Sequence, residues 1–139
     1  MVSPSTFRHA KVTDDVELMR EMVRNALWSI EYHEEALTSA HKRLAIGKSL
    51  MERVGLTVSS EEALKRFHED EDERDFKSST DFLAYIYGDL LNSIEWHELE
   101  LRSAHDLLAA VKAMMIRGKY TEFTIDEVAA ALKAKKEKS

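Results

Sequence analysis

The chain has 139 residues, 44% hydrophobic and 33% charged, which suits one domain with its own core and is too apolar for a wholly disordered chain. It has no cysteine, so disulfides, thiolate metal sites and cysteine nucleophiles are excluded. A net charge of −6 argues against non-specific nucleic-acid binding by the domain as a whole.

Four Gly and one Pro (Pro4) are too few for a β-rich fold. No Gln and only Asn25 and Asn92, beside abundant Glu, Lys and Arg, is a composition expected of a thermophilic source. At the N-terminus Phe7-Arg8-His9 interrupts any apolar run, so no signal peptide is expected. Thr13-Asp14-Asp15 then opens a long helix with an acidic first turn, as the helix dipole favours. Apolar or small residues recur at 19, 23, 26, 30, 37, 40, 44, 47, 51 and 54, and His33 fills the one gap. Gly55 stands where a left-handed C-cap is expected.

Ser59-Ser-Glu-Glu62 is a capping box for a short helix through Ala63, Leu64 and Phe67, which runs into the acidic block 69–75. Ser79 or Thr80 caps a second long helix. Its seam is Leu83, Tyr87, Leu90, Ile94, His97, Leu101, Ala104, Leu108, Val111 and Met115, with Gly118 ending it. The longest nearly apolar stretch, 107–116, contains Lys112 and is too short to cross a bilayer, so a soluble, cytoplasmic protein is expected. Thr124-Ile-Asp-Glu127 caps a last helix through Val128, Ala131 and Leu132. Residues 1–12 and the basic tail 133–139 are expected to be flexible.

Two segments align without gaps at an offset of 64: Ser29-Ile-Glu-Tyr-His-Glu-Glu-Ala-Leu-Thr-Ser-Ala-His41 and Ser93-Ile-Glu-Trp-His-Glu-Leu-Glu-Leu-Arg-Ser-Ala-His105. Nine of thirteen positions are identical, Glu and His among them, which points to internal duplication with repeats at 13–75 and 79–138. The fold expected is all-α, a four-helix bundle of two tandem long-helix/short-helix hairpins in a single domain 1–139. A seam spacing of 3.5 implies coiled-coil-like packing. A second stripe (Tyr32, Ile46, Leu50; Trp96, Leu107, Ala110, Met114) widens the apolar face. Short helices of about 20–25 Å cannot cover long ones of about 55–65 Å. Either the first long helix bends near Gly47 or a second chain covers the remainder, and a homodimer is the expectation.

Several constellations bear on chemistry. Glu31, Glu34 and His41 recur as Glu95, Glu98 and His105 on the second long helix. In outline this stripe resembles the ligand sets of carboxylate-bridged di-iron bundles of the ferritin-like class, which implies an alternative reading: Fe, Mn or Zn held by Glu31, Glu34, Glu95 and Glu98 with His41 and His105. The spacing departs from that family, with Glu-x-x-Glu pairs and no Glu-x-x-His. A solvated or interfacial charged stripe is the plainer reading, and no cofactor is expected.

His33 and His97 occupy seam positions and are expected as a buried polar pair that sets helix register and responds to pH. Trp28, Tyr32 and Trp96 are either core or partner surface, and Trp28, opposite Asn92 in the other copy, is the better interface candidate. The run Lys133, Lys135, Lys136 and Lys138 offers a weaker alternative, nucleic-acid phosphate contact. Catalytic motifs are absent: Arg102-Ser-Ala-His105 lacks the spacing of the HEPN nucleases. In architecture and composition the chain resembles the small four-helix-bundle proteins of hyperthermophilic archaea and their viruses, and in shape the focal-adhesion-targeting type of docking domain. That resemblance implies protein–protein contact. The function expected is a non-catalytic, homodimeric interaction module using Trp28, Tyr32, Glu31, Glu34, Glu95, Trp96 and Glu98, with no membrane partner.

Overall fold

The computed structural model describes residues 15–69 and 78–138. They form an all-α protein of four helices: α1 (Asp15–Arg53), α2 (Ser60–Glu69), α3 (Ser79–Gly118) and α4 (Ile125–Lys138), with no strand among the described residues. The expected cap at Thr13 and Asp14, the segment 1–12 and acidic residues 70–75 lie outside the described residues.

Local chemistry sets the helix ends. The Glu62 amide donates to Ser59 Oγ at 3.1 Å and the Glu127 amide to Thr124 Oγ1 at 3.1 Å, so α2 and α4 open on side-chain caps. For α3 the cap is Ser78, whose Oγ accepts from the Asp81 amide at 3.2 Å, in place of the expected Ser79 or Thr80. Three adjacent hydroxyl residues compete there, and Ser78 is the one that stays outside the helix, where its hydroxyl can reach an orphan amide.

Both long helices end in the same motif. Leu56 N donates to Met51 O at 2.8 Å and Gly55 N to Glu52 O at 3.2 Å, with Gly55 left-handed at φ 74°. Sixty-four residues on, Tyr120 N donates to Met115 O at 3.0 Å and Lys119 N to Ile116 O at 3.2 Å. Here the left-handed residue is Lys119 at φ 56°, and Gly118 is the last residue of the helix. Gly118 answers a different need: a Cβ there would lie 2.7 Å from Cδ2 of the Tyr120 ring that folds over it.

The packing divides into two compact units, each taking one part of both long helices and one short helix. The first holds α1 up to Glu31, α3 from Leu101, and α4. Its core is Met19, Val23, Val111, Phe123 and Val128. The second, Tyr32–Glu100, holds the rest of α1 and α3 with α2, around Met51, Ala63 and Tyr87. Neither unit coincides with the repeats 13–75 and 79–138, because each core is filled from parts of both long helices. Each large side chain removed from water contributes about 1.5–3 kcal/mol, so both cores matter to stability.

In the second unit α2 is fastened to α3 at close range. Gly88, buried in α3, permits this: a Cβ there would drive into the Ala63 carbonyl and stand 2.8 Å from Phe67 Cβ. Ser60 Oγ and Tyr87 Oη share a hydrogen bond at 3.1 Å, and Arg66 reaches Asp81 at 3.2 Å. In the first unit Tyr120 Oη donates to Asp15 at 3.3 Å and Arg20 lies over the Phe123 ring at 5.1 Å.

Details of the pattern differ from the sequence expectation. Val54 is 55% exposed, because α1 has already ended at Arg53 and Val54 belongs to the terminating turn. On α4 the inward row is Ile125, Val128 and Leu132, at steps of three and four, while Ala131 is exposed. α4 runs as helix through Lys138, and Lys136 pairs with Glu31. α1 is one continuous helix through Gly47. No described helix is long and apolar enough to cross a membrane.

Candidate functional site

The seam periodicity carries His33 on α1 and His97 on α3 to the same level of the second unit. Their Nδ1 atoms stand 2.7 Å apart, one carrying the proton that the other accepts. Tyr32 and Trp96, each beside a histidine in sequence, stand edge-on to the pair. Tyr32 is 5.0 Å from the His33 ring, and Trp96 is 5.4 Å from His33 and 4.8 Å from His97. His33 is 6% exposed, His97 half-buried. Burial, more than the neighbouring His33 charge, holds the His97 imidazole below its ordinary value of 6.5, while Glu100 pulls the other way. With both rings neutral the facing nitrogens share one proton, and burial makes a further proton on His97 unfavourable.

The carboxylate and outer histidine candidates are placed differently. Glu31 belongs to the first unit, where it pairs with Lys136. His105 is also in the first unit, and Glu34, His41, Glu95 and Glu98 are in the second; all five are exposed. Among the described residues, no three His, Asp or Glu side chains gather closely enough to hold a metal ion. These positions flank the seam, so their side chains point to solvent.

Large apolar side chains are left at the surface of each unit. In the first, Trp28 is 61% exposed, and Met114 and Ile116 are also exposed. In the second, Ile46 at 63% and Trp96 at 50% stand out, with Tyr32, Leu50, Phe82 and Leu99 exposed as well. Of the second stripe expected from the sequence, Tyr32, Ile46, Leu50, Trp96, Ala110 and Met114 face solvent, whereas Leu107 packs against the first unit's core.

In the second unit Ile46 and Leu50 of this stripe stand on one wall of an open groove of about 340 Å³. Ile46, Gly47 and Leu50 of α1 face Leu83, Ile86 and Leu90 of α3, with Arg43 and Asp89 at the rims. The first unit carries a cleft of about 520 Å³ between Leu27 and Glu31 of α1 and Leu132 and Lys136 of α4. It is bridged by the Glu31–Lys136 ion pair.

The groove's α3 wall and its two rim charges were not among the sequence candidates. Their signal was faint: Ile86 is one apolar residue outside a strict seam, and Arg43 and Asp89 read as ordinary surface charges. Compared with known proteins, the chain matches no family model, no curated protein and no solved structure.

Proposed function

We propose that this protein is a non-catalytic helical module that works by binding protein, in the first place a second copy of itself. The observation that carries the reading is the solvent-facing pair Ile46 and Leu50, which lines a groove with two apolar walls. Contiguous apolar surface rimmed by charge is characteristic of protein-binding sites. Each unit offers aromatic anchors of its own: Trp28, with Glu31 as polar surround, on the first, and Tyr32 and Trp96, with Glu34, Glu95 and Glu98, on the second.

We read the two long-helix/short-helix hairpins as copies of one ancestral unit. Support comes from the terminating turns at Gly55 and Lys119, the pairing of His33 with His97, and the buried Ala40 and Ala104, all at a separation of 64. In this reading the four helices make a bundle whose long members leave apolar length for a partner to cover.

The test is to reload protein purified in metal-free buffer with Fe(II), Mn(II) and Zn(II), and to measure bound metal and mass together on one column. A dimer whose mass is indifferent to metal is the expected result. Near-stoichiometric metal, lost in the double variant Glu34→Ala with Glu98→Ala, would overturn the reading in favour of a metalloprotein.

A further inference from the structure

The groove of the second unit has walls of unlike charge. Arg43 stands on the α1 rim and Asp89 on the α3 rim, and neither has an ion-pair partner among the described residues. The floor is open because Gly47 has no side chain; a Cβ there would only touch Leu90 at 4.0 Å. Within this unit α1 and α3 run antiparallel, since His33 meets His97 while Gly47, further along α1, meets Leu90, earlier on α3. Arg43 lies ten residues beyond His33 and Asp89 eight before His97. At 1.5 Å per residue both are about 12–15 Å from the histidine pair, so the two rim charges stand at nearly the same level.

We infer that this groove is the self-association surface, and that two copies meet there across a two-fold axis running along the helices, each α1 lying over the partner's α3. Only this arrangement sets Arg43 opposite the partner's Asp89, twice, while Ile46 and Leu50 enter the partner's groove against its Leu83 and Leu90. A two-fold axis across the helices would lay α1 on α1 and put like charges on the same side of the contact. The occupant is a second copy because the surface complements itself: an apolar row on one wall, an apolar trough beside it, and opposite charges at matched heights. Tyr32 extends the contact along α1, since 32, 43, 46 and 50 fall on one helical face. A stable interface takes about 800 Å² from each partner, so the flanking aromatics are needed as well as the trough.

This inference rests on the reading of the chain as an interaction module, and the following experiment separates the two. Sedimentation velocity is run from about 1 to 100 µM on the full chain and on Ile46→Glu, Arg43→Asp, Asp89→Arg and the double charge swap. All these positions are at the surface or rim, and far-ultraviolet circular dichroism checks that each variant folds. The expected result is a wild-type dimer that Ile46→Glu makes monomeric. Each single charge reversal should weaken dimerisation about tenfold or more, and the double swap should restore it. A dimer that survives Ile46→Glu would overturn the groove as the surface while leaving the module reading in place. Loss of dimer in the single reversals without rescue in the double swap would overturn the α1-over-α3 arrangement. A wild-type chain that stays monomeric at 100 µM would overturn the inference outright, and the metal-and-mass measurement would then decide the module reading by itself.

Discussion

The two units solve one packing problem, a short helix laid against two long ones, with opposite means. In the second unit the short helix comes close: Gly88 has no side chain and Ala63 a small one, so backbone nearly touches backbone. In the first unit the position 64 residues before Gly88 is Arg24, which pairs with Glu21, and the core is filled by bulk, Phe123 and Val128. Close approach makes stability depend on the absence of an atom; bulk filling makes it depend on the presence of many. Similar backbone motifs can therefore carry different mutational sensitivities, and the difference can be measured.

The largest effect should come from Phe123→Ala, which empties the first unit's core and is expected to destabilise the protein by about 3–5 kcal/mol in urea unfolding. A loss below about 1 kcal/mol would mean that α4 contributes little and that the bulk-filling account is wrong. Next comes Gly88→Ala, expected to cost about 1–3 kcal/mol or more because the added methyl meets the α2 backbone, which cannot move aside like a flexible side chain. A loss below about 0.5 kcal/mol would mean that the two helices move apart at the crossing at almost no cost.

Smaller, and opposite in sign between the units, are changes at the two terminating turns. Gly55→Ala forces a side chain into a left-handed conformation and should cost about 1 kcal/mol, whereas Lys119→Gly relieves the same cost and should stabilise by up to about 1 kcal/mol. Finding both destabilising would show that Lys119 makes contacts that outweigh its backbone conformation.

The last difference is one of proton uptake. Among the described residues only the second unit holds a histidine pair, and His97 is held below its ordinary value of 6.5 by burial and by His33, against the opposing Glu100. The unfolded chain then takes up its proton at higher pH than the folded one. The stabilisation is complete above 6.5 and declines as pH falls through that value and then through the lowered folded one. Melting should occur at lower temperature at pH 5 than at pH 7.5, and His97→Gln should reduce that slope. An unchanged slope in the variant would assign the acid sensitivity to other groups.

Much of the fold could be read from the sequence because helices of this length declare their inner face many times over. Met19, Val23, Ala26 and Ala40 on α1 and Tyr87, Ile94, Ala104 and Val111 on α3 are buried where the seam put them. Ends were harder. Ser78, Ser79 and Thr80 are chemically equivalent as caps, and which one serves depends on where the first helical turn closes. Lys119 was hidden because a neighbouring glycine drew the expected turn onto itself, although that glycine accommodates the Tyr120 ring.

The candidate surface was half legible. Periodicity identified the apolar stripe of Tyr32, Ile46 and Leu50, but a stripe does not state what covers it. The matching wall of Leu83, Ile86 and Leu90 emerges only once α1 and α3 are placed beside one another. Of the Glu and His matches between the two segments, His33 and His97 touch each other, and the carboxylates are exposed.

The indole rings turn this asymmetry into an optical one. The chain has two tryptophans, and they fall in different units: Trp28 in the first and Trp96 in the second. Trp96 lies against the imidazoles, 4.8 Å from His97 and 5.4 Å from His33. An imidazolium quenches indole emission by accepting an electron from the excited ring, and a neutral imidazole does so far less. Trp96 fluorescence should therefore dim as His97 takes up a proton. With Trp28 replaced by Phe, the remaining indole is a built-in lamp for that proton.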